Sequence, residues 1–299
     1  MLPLPSFRQL GYLLALHEQG HFGRAAAACF VTQSTLSVGI AELERLLGAQ
    51  LVERSKRSVR FTEAGEEVVT RARTVMRAAE DLLAATQTRR EPLTGTLRLA
   101  AIPTIAPFLL PRLLPAIERD WPRMQMFVRE MLTGAACDAL AQGTIDCVLL
   151  ALPVECGLVD TAPIGSDRLL LAARDDDASA AAGELDTSRL LLLEDGHCLK
   201  DQALAACDLS RRATEAQLVA STLHTLVQLV DAGLGITLLP ELAVDAGILG
   251  GTRVIGRPLE RLDATRRIVL AWRKGDARGS DFGLLGRTIR DAAGLPIAP

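Results

Sequence analysis

Apolar positions divide the chain into two regimes. Up to about residue 85 they recur at helical spacing; from Thr96 onward short apolar runs alternate with amphipathic stretches. Phe7, Leu10, Leu14 and His17 share one face of a predicted helix over 6–19, ended by Gly20-His21. The alanine-rich stretch 22–29 predicts a second, short helix whose small side chains let a neighbour approach. Thr32 to Ser37 open a third, running to Leu47, with Leu36, Ile40, Leu43 and Leu47 inward and only short polar groups on the other face of its start; Gly48 stops it. Leu51–Arg54 and Ser58–Phe61 then read as a hairpin. Thr62 caps a long helix with Glu63, Glu66 and Glu67 in its first turns. Along it Ala64, Val68, Ala72, Val75, Ala79 and Leu82 fall in steps of three and four, a coiled-coil seam that predicts dimerisation. The stretch from Thr88 to Gly95 is the linker that follows.

Beyond it, strands are predicted over 96–101, 124–130, 145–150, 169–173, 190–193, 216–220 and 267–272, with helices over 106–119, 134–142 and 222–232. That alternation predicts a mostly parallel α/β arrangement. At 299 residues the chain exceeds one typical core. The expected divisions are 1–61, 62–92 as a connecting helix, and 93–299.

Composition sharpens the picture at a few points. Hydrophobic residues make up 49% of the chain and aromatic ones 3%, so the cores are expected to be Leu, Ala and Val. No export signal opens the sequence, and the apolar run from Leu97 to Pro115 is broken by Arg98, Arg112 and four prolines, which excludes a membrane span and implies a cytoplasmic protein. The net charge of −3 hides an asymmetry: residues 1–90 carry +3 and the remainder −6. A basic N-terminal part on an acidic body points to DNA. In the third helix Gln33 suits bidentate reading of adenine, and the hydroxyls of Thr32, Ser34, Thr35 and Ser37 suit bases or phosphates. Arg54, Lys56, Arg57 and Arg60 of the hairpin suit phosphates. No glycine-rich phosphate loop, zinc-ligand spacing or Ser/His/Asp set is visible, so no cofactor, metal or enzyme activity is expected. Cys137, Cys147 and Cys156 lie ten and nine residues apart, which is no zinc-ligand spacing; Cys147, inside Ile145-Asp146-Cys147-Val148-Leu149-Leu150, is read as plain core, and six irregularly spaced cysteines do not make a secreted disulfide scaffold.

One stretch carries candidate chemistry. Leu190–Leu193 read as a buried strand, Glu194-Asp195-Gly196 break it, and Cys198 to Cys207 are rich in helix formers. Asp195 or Gly196 would cap that helix and put Cys198 in its first turn, where the helix dipole and Lys200 favour a thiolate and His197 can donate a hydrogen bond or proton. Nine residues of helix rise about 13 Å, whereas a disulfide needs Cα atoms within about 7 Å. A bond between Cys198 and Cys207 would therefore require the helix to unwind. Two buried, inert cysteines are the plainer alternative for this segment.

Two resemblances bear on these readings. Phe22-Gly23-Arg24-Ala25-Ala26, Val31-Thr32-Gln33-Ser34-Thr35-Leu36-Ser37, Leu43-Glu44-Arg45-Leu46-Leu47-Gly48, Leu51-Val52-Glu53-Arg54 and Thr62-Glu63-Ala64-Gly65 resemble the winged helix-turn-helix of LysR-type regulators. Gly196-His197-Cys198, Asp201-Gln202 and Cys207 resemble the redox segment of the OxyR family of peroxide-sensing regulators, departing at Lys200, where that family usually has arginine. The first implies an α/β chain with an N-terminal winged helix-turn-helix and a two-lobed, periplasmic-binding-protein-like effector region: lobe I about 93–165 and 268–299, lobe II about 166–267. It also implies a pseudo-palindromic DNA operator, RNA polymerase as a partner, and assembly as a dimer of dimers. The second implies that hydrogen peroxide oxidises Cys198 to sulfenic acid and that Cys207 resolves it as a disulfide, which thiol reductants reset. It implies an activator of oxidative-stress genes, with Thr104, Thr133, His197, Lys200, Asp201 and Arg267 supporting the peroxide site. The competing readings are a metabolite-responsive LysR regulator with passive cysteines and a thiol peroxidase fused to a DNA-binding appendage.

Overall fold

The computed structural model describes residues 4–54, 59–85, 91–177, 186–207, 219–259 and 264–296. These fall into two compact units, Met1–Arg89 with Gln142–Thr144, and the remainder.

In the first unit, α1 (Phe7–Gln19) begins with a reciprocal cap: the Ser6 hydroxyl accepts the Gln9 amide, and the Gln9 side chain accepts the Ser6 amide. Its buried face is Leu10, Tyr12, Leu13 and Leu16, a stripe rotated from the predicted one. Phe7 is exposed, and Leu14 and His17 sit at the margin. Helices α2 (Phe22–Ala28) and α3 (Gln33–Leu47) follow; α3 buries Leu36, Gly39, Ile40 and Leu43, whereas Leu47 is exposed in the last turn. Strands β1 (Val52–Arg54) and β2 (Val59–Phe61) pair antiparallel. The Thr62 hydroxyl accepts the Gly65 amide at 3.0 Å to start α4 (Glu63–Ala85). Gly65 lies so close to the chain before β1 that a Cβ there would sit 2.1 Å from the Leu51 carbonyl oxygen. His17 links three elements: Arg73 donates to its Nδ1 (3.2 Å), its Nε2 faces Glu66 (3.0 Å), and its ring meets Phe61 edge-on. With Nδ1 accepting, Nε2 carries the proton and donates.

In the second unit, β3 (Gly95–Ala101), α5 (Ala106–Asp120), β4 (Met124–Glu130), α6 (Thr133–Ala141) and β5 (Cys147–Leu152) form a parallel βαβαβ array with β3 in the middle. The chain then runs through β6 (Val159–Arg174), β7 (Leu192–Leu193), α7 (Cys198–Ala206), β8 (Val219–Ala220), α8 (Leu223–Asp231), β9 (Thr237–Pro240), α9 (Glu241–Asp245) and β10 (Val254–Arg257). It returns in β11 (Thr265–Arg273) and ends in α10 (Gly279–Ala293). The main sheet has the order β10-β6-β11-β5-β3-β4, with β9 also on β6. The mostly parallel expectation is corrected here. Strands β6 and β11 are the two crossings between lobes, one outward and one returning, so β11 lies antiparallel along residues 159–168 of β6, and β5, β9 and β10 join them antiparallel as well. Residues 159–163 of β6 were not predicted, nor were α9, β10 and α10. The strand predicted over 216–220 is seen at 219–220; 216–218 lie outside the described residues, as do 88–90 of the predicted linker. Among the described residues no single helix is long and apolar enough to cross a membrane.

Candidate functional site

The exposed face of α3 comes from the start of that helix. Thr32 occupies the cap position: its hydroxyl accepts the Thr35 amide at 3.2 Å and lies 2.9 and 2.8 Å from the hydroxyls of Ser34 and Thr35. Gln33, Ser34 and Thr35 are exposed, and Ser37 is half-buried. Arg60 is exposed on β2 opposite Glu53. The Arg54 side chain, Lys56 and Arg57 lie outside what the structure describes.

The second candidate site is the start of α7. His197 is the residue before the helix, without a side-chain capping bond, and Cys198 is its first helical residue. Gly196 makes the turn with φ +95°, and its vacant Cβ position is 3.2 Å from Leu132, the residue before Thr133 at the start of α6. Cys198 and His197 are buried, and Cys198 and Cys207 are both free thiols. Cys207 closes the far end of α7, where burial pushes its thiol up from the ordinary cysteine value. Burial likewise holds the His197 imidazole below its ordinary value, against a weaker opposing pull from Glu194, and so favours the neutral ring. The predicted helpers separate. Lys200 is paired with Asp195 at 2.9 Å, and Asp201, the next residue in the first turn, is exposed. Gln202 reaches from α7 to the carbonyls of Ala151 and Leu152 at the end of β5, 3.5 and 3.3 Å away. Three buried polar atoms around this segment have no hydrogen-bond partner: Thr133 Oγ1, His197 Nδ1 and Gln202 Oε1. Buried polar atoms are rarely left so, and each of the three has a hydrogen bond to offer a small polar ligand.

Comparison with known proteins fits both sites. The model of the bacterial regulatory helix-turn-helix protein, lysR family, matches residues 7–66, and that of the LysR substrate binding domain matches residues 90–294. The chain belongs to the LysR family. Within that family it is of the OxyR type. It is 38% identical to the DNA-binding transcriptional dual regulator OxyR of Escherichia coli over 95% of each chain. It is 43% identical to the HTH-type transcriptional regulator EstR of Acinetobacter baylyi, covering 95% of this chain and 96% of EstR. A full-length OxyR variant from Pseudomonas aeruginosa has the same fold, with a TM-score of 0.82 at 32% identity over 96% of this chain and 95% of that one. A hydrogen-peroxide-bound OxyR mutant from Corynebacterium glutamicum matches at a TM-score of 0.63 and 32% identity, covering 100% and 99%.

Two features of this LysR-family chain were not legible beforehand. Arg267, expected near the peroxide site, points outward from β11; its neighbour Arg266 points in. Alternation with the buried Ile268 was the available signal. Arg266 is fully buried, pairs with Asp167 across the strands at 2.8 Å, and donates to the Thr104 hydroxyl at 2.8 Å and the Thr104 carbonyl at 3.0 Å. Asp167 also accepts the Leu242 amide at the start of α9. Thr104, Thr133 and Thr222 thus differ: the first is bonded to arginine, the second is unpartnered, and the third caps α8 through the Thr225 amide. The other feature is a disulfide between Cys137 of α6 and Cys156 of the loop after β5, with Cα atoms 5.1 Å apart. Sequence spacing assigned neither cysteine a partner: nineteen residues separate them in sequence, and only the fold brings them together.

Proposed function

We propose that this chain is a peroxide-switched transcriptional activator of oxidative-stress genes. The observation that carries the reading is Cys198 at the first position of α7, in a segment whose own His197 and Gln202, like Thr133 at the start of α6, each hold a buried polar atom without a partner. Hydrogen peroxide has two donors and accepting lone pairs on both oxygens, which suits those atoms. The Cys198 thiolate attacks one peroxide oxygen; the O–O bond breaks, and the departing hydroxide leaves as water after taking a proton. The resulting sulfenic acid condenses with the Cys207 thiol, forming the disulfide and a second water. An α7 of about 13 Å between these residues cannot hold that bond, so it unwinds and the regulatory region repacks. Thiol reductants restore the helix by exchange. Thr104, in the turn after β3, and Arg266 of β11 support the site, and Arg266 takes the role first expected of Arg267. On the DNA side Gln33, Ser34, Thr35 and Ser37 read or anchor the major groove, while Arg54, Lys56 and Arg60 hold phosphates. Two copies joined through α4 span a pseudo-palindromic operator in the cytoplasm; pairs of dimers assemble there and recruit RNA polymerase.

The testing experiment is non-reducing peptide mapping before and after a brief stoichiometric peroxide pulse. A Cys198–Cys207 cross-link reversed by dithiol is expected in the wild type. Cys198→Ser should lose it and the transcriptional response. Cys207→Ser should stop at the sulfenic acid, trapped by dimedone. If Cys198 stays alkylatable after the pulse, the second reading takes over: a metabolite-responsive regulator. The 43% identity to EstR, whose name carries no reference to peroxide, keeps that reading in play.

A further inference from the structure

The Cys137–Cys156 bond joins the two pieces of chain that flank the Cys198 helix. Cys137 is one helical turn after Thr133 on α6, and Leu132, just before Thr133, packs on Gly196. Cys156 comes four residues after Leu152, whose carbonyl, with that of Ala151, accepts from Gln202 of α7. The bond therefore ties the middle of α6 to the loop that follows the strand end contacted by Gln202 of α7. Its two sulfurs differ in access, since Cys137 is buried and Cys156 is half-buried.

We propose that Cys137 and Cys156 are a second redox couple, whose disulfide holds the α6–β5 flank against α7 and slows closure of the Cys198–Cys207 bond. This rests on the peroxide reading above for its consequence but not for its chemistry. A glutathione-type thiolate attacks the more accessible Cys156 sulfur; the S–S bond breaks, and Cys137 leaves as a thiolate that takes up a proton. A second thiolate then attacks the mixed disulfide at the glutathione sulfur, releasing reduced Cys156 and glutathione disulfide. Two electrons have passed from the thiol pool to the protein, and glutathione disulfide reverses each step. The couple thus answers to the thiol–disulfide balance, whereas Cys198 answers to peroxide.

The test starts with full-length Cys198→Ser/Cys207→Ser protein, in which peroxide sensing plays no part. Equilibrated over a range of reduced and oxidised glutathione, it should interconvert between bonded and dithiol forms, read by differential alkylation and peptide mapping. A bond present at every ratio, or absent at every ratio, overturns the couple. Amide hydrogen exchange over Leu199–Ala206 should be at least fivefold faster in the dithiol form of the same protein; equal exchange overturns the coupling. Finally, Cys156→Ser with Cys198 and Cys207 intact should form the Cys198–Cys207 cross-link at least threefold faster than the bonded wild type after the same peroxide pulse, and an unchanged or slower rate counts against the proposal. Should Cys156→Ser fold poorly by circular dichroism, the exchange measurement decides, because there the pair itself is unaltered. Should Cys198 prove inert to peroxide, the first two measurements still decide the couple and only the peroxide reading falls.

Discussion

The charges that matter most in the regulatory region are a fully buried pair. Arg266 and Asp167 have no exposed side-chain surface, and each takes further bonds, from Arg266 to Thr104 and from the Leu242 amide to Asp167. Removing one member of such a pair leaves the other desolvated and uncompensated, which costs about 3–5 kcal/mol. Arg266→Ala is therefore expected to lower urea stability by about that amount, and Arg266→Met with Asp167→Leu to recover most of it. Both tryptophans, Trp121 and Trp272, lie in this unit, so their fluorescence reports the loss directly; a loss below about 1 kcal/mol would contradict the burial argument. His197 gives a pH dependence of definite sign. Burial lowers its folded-state value, so around and below the unfolded value of about 6.5 the unfolded chain binds a proton that the folded one refuses. Its contribution is present above that pH and is lost as pH falls. The wild type should lose urea stability between pH 7.5 and 5.5 more steeply than His197→Asn, and parallel slopes would show that His197 is not the group responsible.

At the scale of elements, Gly65 fixes how the hairpin meets α4. A methyl group 2.1 Å from the Leu51 carbonyl oxygen cannot be accommodated without moving backbone. Gly65→Ala should therefore cost the N-terminal unit about 1–3 kcal/mol by overpacking and weaken operator binding in gel-shift titration, while leaving peroxide oxidation of Cys198 unchanged. The sequence showed a glycine in a family motif but not the carbonyl it faces. The same limit explains the rest. Helix starts were legible at Ser6, Thr32 and Thr62, because caps are local and written in consecutive residues. Helix faces were less so: on α1 the true stripe ran through Leu13 and Leu16, since burial there depends on which neighbours arrive. Strands β6 and β11 were legible only where apolar, and their antiparallel pairing is a property of the crossing chain that periodicity does not encode. In the candidate site Cys198, His197 and Cys207 could be named from spacing and resemblance. Arg266, Asp167 and the Cys137–Cys156 bond depend on strand register and on contacts between distant segments.

For the whole molecule, the proposed reading requires that α3 of one chain and α3 of a second copy each meet one half-site. Along α4, Gly65, Val69 and Ala72 turn into the N-terminal core, but Val75 and Leu82 are 46% and 68% exposed in a single chain. Steps of three and four continue through them, so the apolar line leaves its own domain and faces outward for its second half. A second copy of α4 would cover that line, and pairing it would place two copies of α3 on one two-fold axis. Replacing both residues by glutamate puts like charges across the seam without touching α1–α3. Val75→Glu/Leu82→Glu should therefore sediment with a smaller assembly than the wild type at micromolar concentration. It should bind a full operator at least tenfold more weakly and an isolated half-site about as well. A variant that still sediments and binds like the wild type would show that the two half-sites are joined through another surface.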